Sequence, residues 1–170
     1  ELKFITSVDS APIQYFKKLN PFMPNLRFVI NTKDQIVYGY PSSYEFKIYS
    51  IDGKLVKKIS RKYVPLEITD EDMGRIKNLP PAIQTVIPKY HSPYWSFFVD
   101  DECRIYAFTW EKSSDGKRRM FDVFDEQGRY IARIPLPGRS LFIKRNRLYS
   151  VEEGEEGYPC LKRYKVTWKT

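Results

Sequence analysis

The sequence predicts an all-β fold built from repeated four-stranded antiparallel meanders. Three observations carry that expectation. Short runs are rich in β-branched and aromatic residues, polar turns separate them, and the whole unit recurs along the chain. The clearest unit lies between Pro93 and Pro137. Trp95–Val99 and Arg104–Trp110 are joined by the polar turn Asp100–Cys103. The loop Glu111–Lys117 leads to Arg119–Phe124, and the turn Asp125–Gly128 reverses the chain into Arg129–Leu136.

A second copy precedes it, with strands RFVI (Arg27–Ile30), IVYGY (Ile36–Tyr40), EFKIYSI (Glu45–Ile51) and LVKKIS (Leu55–Ser60). The Asp52-Gly53 dipeptide between the last two is a hairpin signal. Gly53 and Gly128 fall at matching turns, where a positive φ is expected. A third copy starts at Ser140 with SLFIK, LYSVE and CLKRYKVTW (Cys160–Trp168). Superimposing the second strands sets Ile36-Val37-Tyr38 over Ile105-Tyr106-Ala107 and Leu148-Tyr149-Ser150. The interval from Ile105 to Leu148 is 43 residues, a propeller-blade spacing, whereas that from Ile36 to Ile105 is 69. The extra length is an insert over 61–92, in which Thr69-Asp70-Glu71-Asp72 reads as a helix start. Met73, Ile76 and Leu79 would share one face of that helix, and Pro80-Pro81 would end it.

The expected organisation is one domain of blades. A blade spans 24–60, the helical insert 61–92, a second blade 93–137 and an incomplete blade 139–168. The run at 2–8 is an orphan outer strand. Three meanders do not close a ring, since propellers have four blades or more. The chain opens at Glu1 rather than Met and stops at Thr170 before a fourth strand of the last copy, so the expectation is part of a longer propeller. A homodimer is a further expectation: 2–8 of one copy could pair with 160–168 of another and complete a six-bladed ring.

Composition narrows the function. The chain has 170 residues, 42% hydrophobic, and no apolar run near the ~18 residues of a membrane span. The net charge of +8 is spread along strand ends and turns, at Lys17-Lys18, Lys57-Lys58, Arg61-Lys62, Lys117-Arg118-Arg119 and Lys144-Arg145. Dispersed charge of this kind guards strand edges and argues against a nucleic-acid footprint. Two cysteines, Cys103 and Cys160, are too few for a disulfide scaffold. His91 is the only histidine, so a triad or multi-histidine metal site is excluded within this sequence.

Four stretches together resemble the six-bladed β-propeller proteins of bacteria and archaea, loosely related to the NHL-repeat group. They are IYSIDGKLVKKISRKYVPLEITDED, PKYHSPYWSFFVDDECRIYAFTW, FDVFDEQGRYIARIPLPG and NRLYSVEEGEEGYPCLKRYKVTW. The likeness covers about Leu26 to Trp168. No Trp-Asp dipeptide ends a blade, which separates the chain from the WD-repeat class. The resemblance implies an extracytoplasmic (periplasmic or secreted) setting and carries no assigned chemistry.

In propellers, loops entering first strands share a face with loops joining second to third strands. That places Tyr90, His91 and Tyr94 at the rim of a pocket, or else packs the histidine under tyrosines. On the same face, Lys117 and Arg118 of one blade would oppose Glu152 and Glu153 of the next, as solvated loops with a weak ion pair or as part of a binding surface. Asp100-Asp101-Glu102 has calcium-ligand chemistry, yet the matching turns hold only Asp34 or Arg145-Asn146-Arg147, so a solvated turn is expected and no metal. Trp95, Phe97, Phe98, Tyr106, Phe108 and Trp110 fit strands buried between blades. The leading functional expectation is a non-enzymatic binding or scaffold module, with no cofactor, presenting a loop face to a protein, peptide or glycan. The alternatives are a propeller hydrolase or lyase with a channel metal, and polyanion binding through the positive charge.

Overall fold

Phe46 and Ile48 leave their strand toward one side, Lys47 and Tyr49 toward the other, and only the first pair is buried. That period of two, repeated in strand after strand, dictates sheets with one face committed to a core. The computed structural model describes residues 18–74, 84–116, 118–137 and 139–168. Its elements in chain order are β1 (Lys18–Leu19), β2 (Arg27–Ile30), β3 (Ile36–Gly39), β4 (Glu45–Tyr49), β5 (Leu55–Ser60) and the helix α1 (Asp70–Gly74). There follow β6 (Gln84–Thr85), β7 (Ser96–Val99), β8 (Ile105–Lys112), β9 (Arg119–Phe124) and β10 (Tyr130–Leu136). The last are β11 (Arg139–Lys144), β12 (Arg147–Glu153) and β13 (Pro159–Lys165).

The long strands form three antiparallel meanders in sequential order: β2-β3-β4-β5, β7-β8-β9-β10 and β11-β12-β13. The predicted copies are therefore present as three separate sheets, and the described residues place no fourth strand beside β13. One pairing was not legible: β1 runs parallel to β6, which ties the connector before the first sheet to the far side of the insert. The expected strand at 2–8, and Ile76 and Leu79 of the expected helix face, lie outside the described residues.

The sheets stack through their side chains. Val37, Phe46, Ile48 and Ile59 of the first meet Phe97, Ile105, Ala107 and Phe124 of the second, with Tyr44 and Tyr94 completing the cluster. The other face of the second sheet sends Tyr106, Phe121 and Val123 against Ile143 and Leu148 of the third. The middle sheet is thus apolar on both faces, which its dense aromatic alternation requires. First strands of neighbouring sheets lie closest together, β7 beside both β2 and β11.

Turn chemistry explains the register. Asn31 and Asp100 each accept two downstream backbone N–H groups on Oδ1, from Lys33 and Gln35 and from Glu102 and Arg104. Each turn then needs one left-handed residue, Asp34 (φ 54°) and Cys103 (φ 60°). Between third and fourth strands Gly53 (φ 84°) and Gly128 (φ 86°) take that place, as expected. The first turns also link sheet to sheet. The Thr32 hydroxyl donates to the Asp101 carbonyl, and the Arg145 N–H donates to the Asp101 carboxylate at 2.7 Å.

Three expectations need correction. Lys57 and Lys58 lie inside β5 rather than at a strand end: Lys57 donates to the Glu126 carbonyl of the second sheet, and exposed Lys58 pairs with Glu45 of its own sheet. Asp100 is not solvated: it is buried, bound by Arg104 and by the Tyr106 hydroxyl at 2.9 Å. Trp95 is not enclosed between sheets, being 49% exposed just ahead of β7. Cys103 and Cys160 are both free.

Gly128 packs onto the neighbouring sheet, where an added Cβ would stand 2.7 Å from Ile59 Cγ1, whereas Gly53 opens onto empty space. Gly53→Ala should cost about 1 kcal/mol through its left-handed backbone alone. Gly128→Ala should cost more, because the same strain is joined by a clash with a buried side chain. Equal losses in chemical denaturation would contradict this packing.

Candidate functional site

Strand register brings charge into an otherwise apolar interface. Asp122 pairs with Ala107 in the second sheet, while the matching positions of the other sheets are Lys47, opposite Tyr38, and Lys162, opposite Ser150. The carboxylate is therefore peculiar to the middle copy. Alternation along β9 puts it on the same side as Phe124, facing the first sheet, and it is fully buried. A bare carboxylate there would be too costly to keep, so partners must converge.

They come from both sheets. Arg133 on β10 forks onto it, with Nε 2.7 Å from Oδ1 and Nη2 3.2 Å from Oδ2. Arg61, one residue past β5, donates Nη1 to Oδ2, and the Tyr44 hydroxyl donates to the same oxygen at 2.5 Å. Burial, reinforced by the hydrogen bond into Asp122, pushes the Tyr44 phenol far above its ordinary value, so it remains a donor. The Asp122 hydrogen bond likewise raises Arg133, against the opposing effect of burial. Arg133 also gives Nη1 to Glu111 at 2.5 Å, and the Arg61 guanidinium lies 3.8 Å above the Tyr130 ring.

This cluster is the floor of a cleft of about 380 Å³. One wall is the extended strap that follows β5, with Lys62, Tyr63, Val64 and Leu66; the other holds Pro93, Thr109 and Trp110. The cleft opens beside the loop into β7 and the end of β8, the face on which the sequence places a pocket. The strap is held at its base by the insert closing on itself: Glu67 bridges to Tyr90, and the His91 N–H donates to the Leu66 carbonyl at 2.8 Å.

His91, Tyr90 and Tyr94 part company here, because the segment into β7 is irregular and each side chain meets different packing. Tyr90 is exposed, under the Lys89 ammonium. Tyr94 is no rim residue: it is buried in the core, stacked 4.8 Å from Phe46, and donates to the Glu45 carbonyl. Burial raises its phenol too. His91 is buried and stacked 4.0 Å from Trp110, with Nε2 3.1 Å from Asp72 Oδ2. The histidine is packed, but against Trp110 and Phe22 rather than under tyrosines, and Ser92 and Pro93 between these residues reach the cleft instead.

Lys117 lies outside the described residues, and Arg118 is exposed in the loop before β9. Glu152 is engaged within its own sheet, accepting from Tyr164 at 2.7 Å with Lys162 at 3.4 Å, and Glu153 ends β12 exposed. Neither acid reaches the cleft. Among the described residues no group of three His, Cys, Asp or Glu could hold a metal ion, and no helix is long and apolar enough to cross a membrane. No protein-family model and no curated protein matches the chain.

The residues that build the site, Arg61, Asp122 and Arg133, drew no notice as a set in the sequence. The one available signal was the acidic residue at 122, where the aligned copies hold Lys47 and Lys162.

Two predictions follow from these partners. Removing Arg133 strips the forked contact and leaves Asp122 one guanidinium, so Arg133→Met should cost about 3 kcal/mol or more. Arg61→Met should cost visibly less, since the fork survives; the reverse order in urea denaturation would refute the assignment. Asp72 provides a pH signature. Burial acts to raise it, but hydrogen bonds from His91 and from Thr69 outweigh that and hold it at about 2. A depressed carboxyl stabilises above its unfolded value of about 3.9 and loses that contribution as pH falls toward 2. The stability gap between the native chain and Asp72→Asn should therefore be full at neutral pH and shrink between about pH 4 and pH 2.

Proposed function

We propose that the chain is a non-enzymatic binding module whose cleft beside β7 and β8 receives a protein or peptide segment. The observation that carries this reading is the composition of the cleft. A guanidinium cluster fixed from below by a buried carboxylate faces exposed Tyr63, Val64 and Leu66 on the strap. Rigid donors beside exposed apolar side chains are what a peptide needs, one group for its polar main chain or termini and another for a side chain. Glycans remain within the wider expectation, but the aliphatic strap favours peptide.

In the same proposal the three meanders are blades of a six-bladed propeller of the kind the sequence resembles, set outside the cytoplasm. Sequential meanders, first strands drawn together and turn-to-turn links through Asp101 support it. The outer faces of the end sheets, with Phe28 and Ile30 on one and Phe142 and Leu161 on the other, are exposed and would be covered by further blades. A second copy of this chain is one source of such blades.

Panning a random peptide library against the purified chain tests the binding reading. Tyr63→Ala and Leu66→Ala should each weaken the selected peptides about fivefold or more without changing the melting temperature. Peptides indifferent to both changes would move the binding surface elsewhere.

A further inference from the structure

Arg133 and Arg61 do not stand in the same position toward a ligand. Arg133 is committed, forked onto Asp122 and bonded to Glu111. Asp122 takes one N–H of Arg61, and the Tyr44 ring lies with its centroid 5.7 Å from the same guanidinium. A guanidinium carries five N–H donors, so Arg61 keeps donors for a guest. Its plane is fixed by the Tyr130 ring on one side, which leaves the orientation of its free edge defined before any ligand arrives.

The charges point the same way. Arg61, Lys62 and Arg133 line the cleft against Asp122 and Glu111, an excess of one positive charge. Asp122 is fully buried and already surrounded, so a guest meets Arg61 and Lys62 first and finds Glu111 as the only accessible acid of the lining. Beside that edge stand Tyr63, Val64 and Leu66, with Val64 90% exposed. The cleft therefore offers a planar cationic fork next to an apolar shelf.

We infer that the cleft selects a peptide carboxylate adjoining a large apolar side chain, with Arg61 as the recognising group. This rests on the binding reading above and gives it a ligand class. Arg61 donates to the carboxylate, Lys62 adds unspecific attraction, and the strap holds the apolar side chain. Glu111 works against the guest, because its charge stands in the same cleft. That opposition gives the site a signature that a merely structural cluster lacks: neutralising Glu111 should improve binding.

The test is a titration of the whole chain with N-acetyl-phenylalanine, its C-terminal amide and inorganic phosphate, followed by amide NMR shifts at Thr109, Trp110 and Glu111. The free acid should bind about tenfold more tightly than the amide. Arg61→Gln should erase that difference, and Glu111→Gln should tighten the acid severalfold while leaving the amide unchanged. A gain of affinity cannot arise from misfolding, so the second variant stays decisive if Arg61→Gln is unstable. Equal binding of acid and amide, weaker binding by Glu111→Gln, or no shift with either would overturn the carboxylate site. Phosphate binding more tightly than the acid would overturn it in favour of a phosphate site. Peptides from the library that respond to Tyr63→Ala but not to Arg61→Gln would leave the binding reading intact while removing this one.

Discussion

The buried carboxylate of Asp122 is the constraint around which the two larger sheets are arranged. Placed where nearly every neighbour is apolar, it must be neutralised, and its partners come from β10, the residue before β4 and the residue after β5. That requirement fixes how the sheets sit against each other at one end, where hydrophobic stacking alone would tolerate small slides. It also fixes what the surface above can be. Once Asp122 has drawn two guanidinium groups inward, the cleft over them is positive and its walls are held in place.

The opposite end of the stack is secured by different means. There the first turns touch, Thr32 to Asp101 and Asp101 to Arg145, and Lys33 pairs with Glu126 of the adjoining sheet. These are short polar links between loops whose shapes are set by Asn31, Asp100 and left-handed residues. The result is a division of labour between ends: backbone-determined turns hold one, and a side-chain charge cluster holds the other. The open end is where a ligand can enter.

The insert belongs to the site rather than hanging from it. Thr69 caps α1, Asp72 in its first turn binds both Thr69 and His91, and His91 in turn stacks on Trp110 at the cleft wall. The helix is thereby joined to the middle sheet through a histidine that has no exposed surface to spare. The strap from Arg61 to Leu66 leaves this anchored base and forms the cleft's second wall.

Meander, turn and repeat were legible from sequence because they are local. Period-two alternation, Asp-Gly and Asn or Asp turn residues, and a threonine–aspartate helix start all act within a few neighbours, and each appears close to where it was expected. The loops that border the cleft, the entry to β7 and the end of β8, were legible as loops too. The chemistry of the cleft was not. Arg61, Asp122 and Arg133 are far apart in the chain, and each alone looks like an ordinary charge on a strand. Likewise Tyr90, His91 and Tyr94, close in sequence, were dispersed to surface, helix clip and core by the different elements packed against each. Which charges meet depends on the stacking of two sheets and on their register, and only the tertiary structure decides that, because the energy that gathers them is the cost of leaving a buried carboxylate alone.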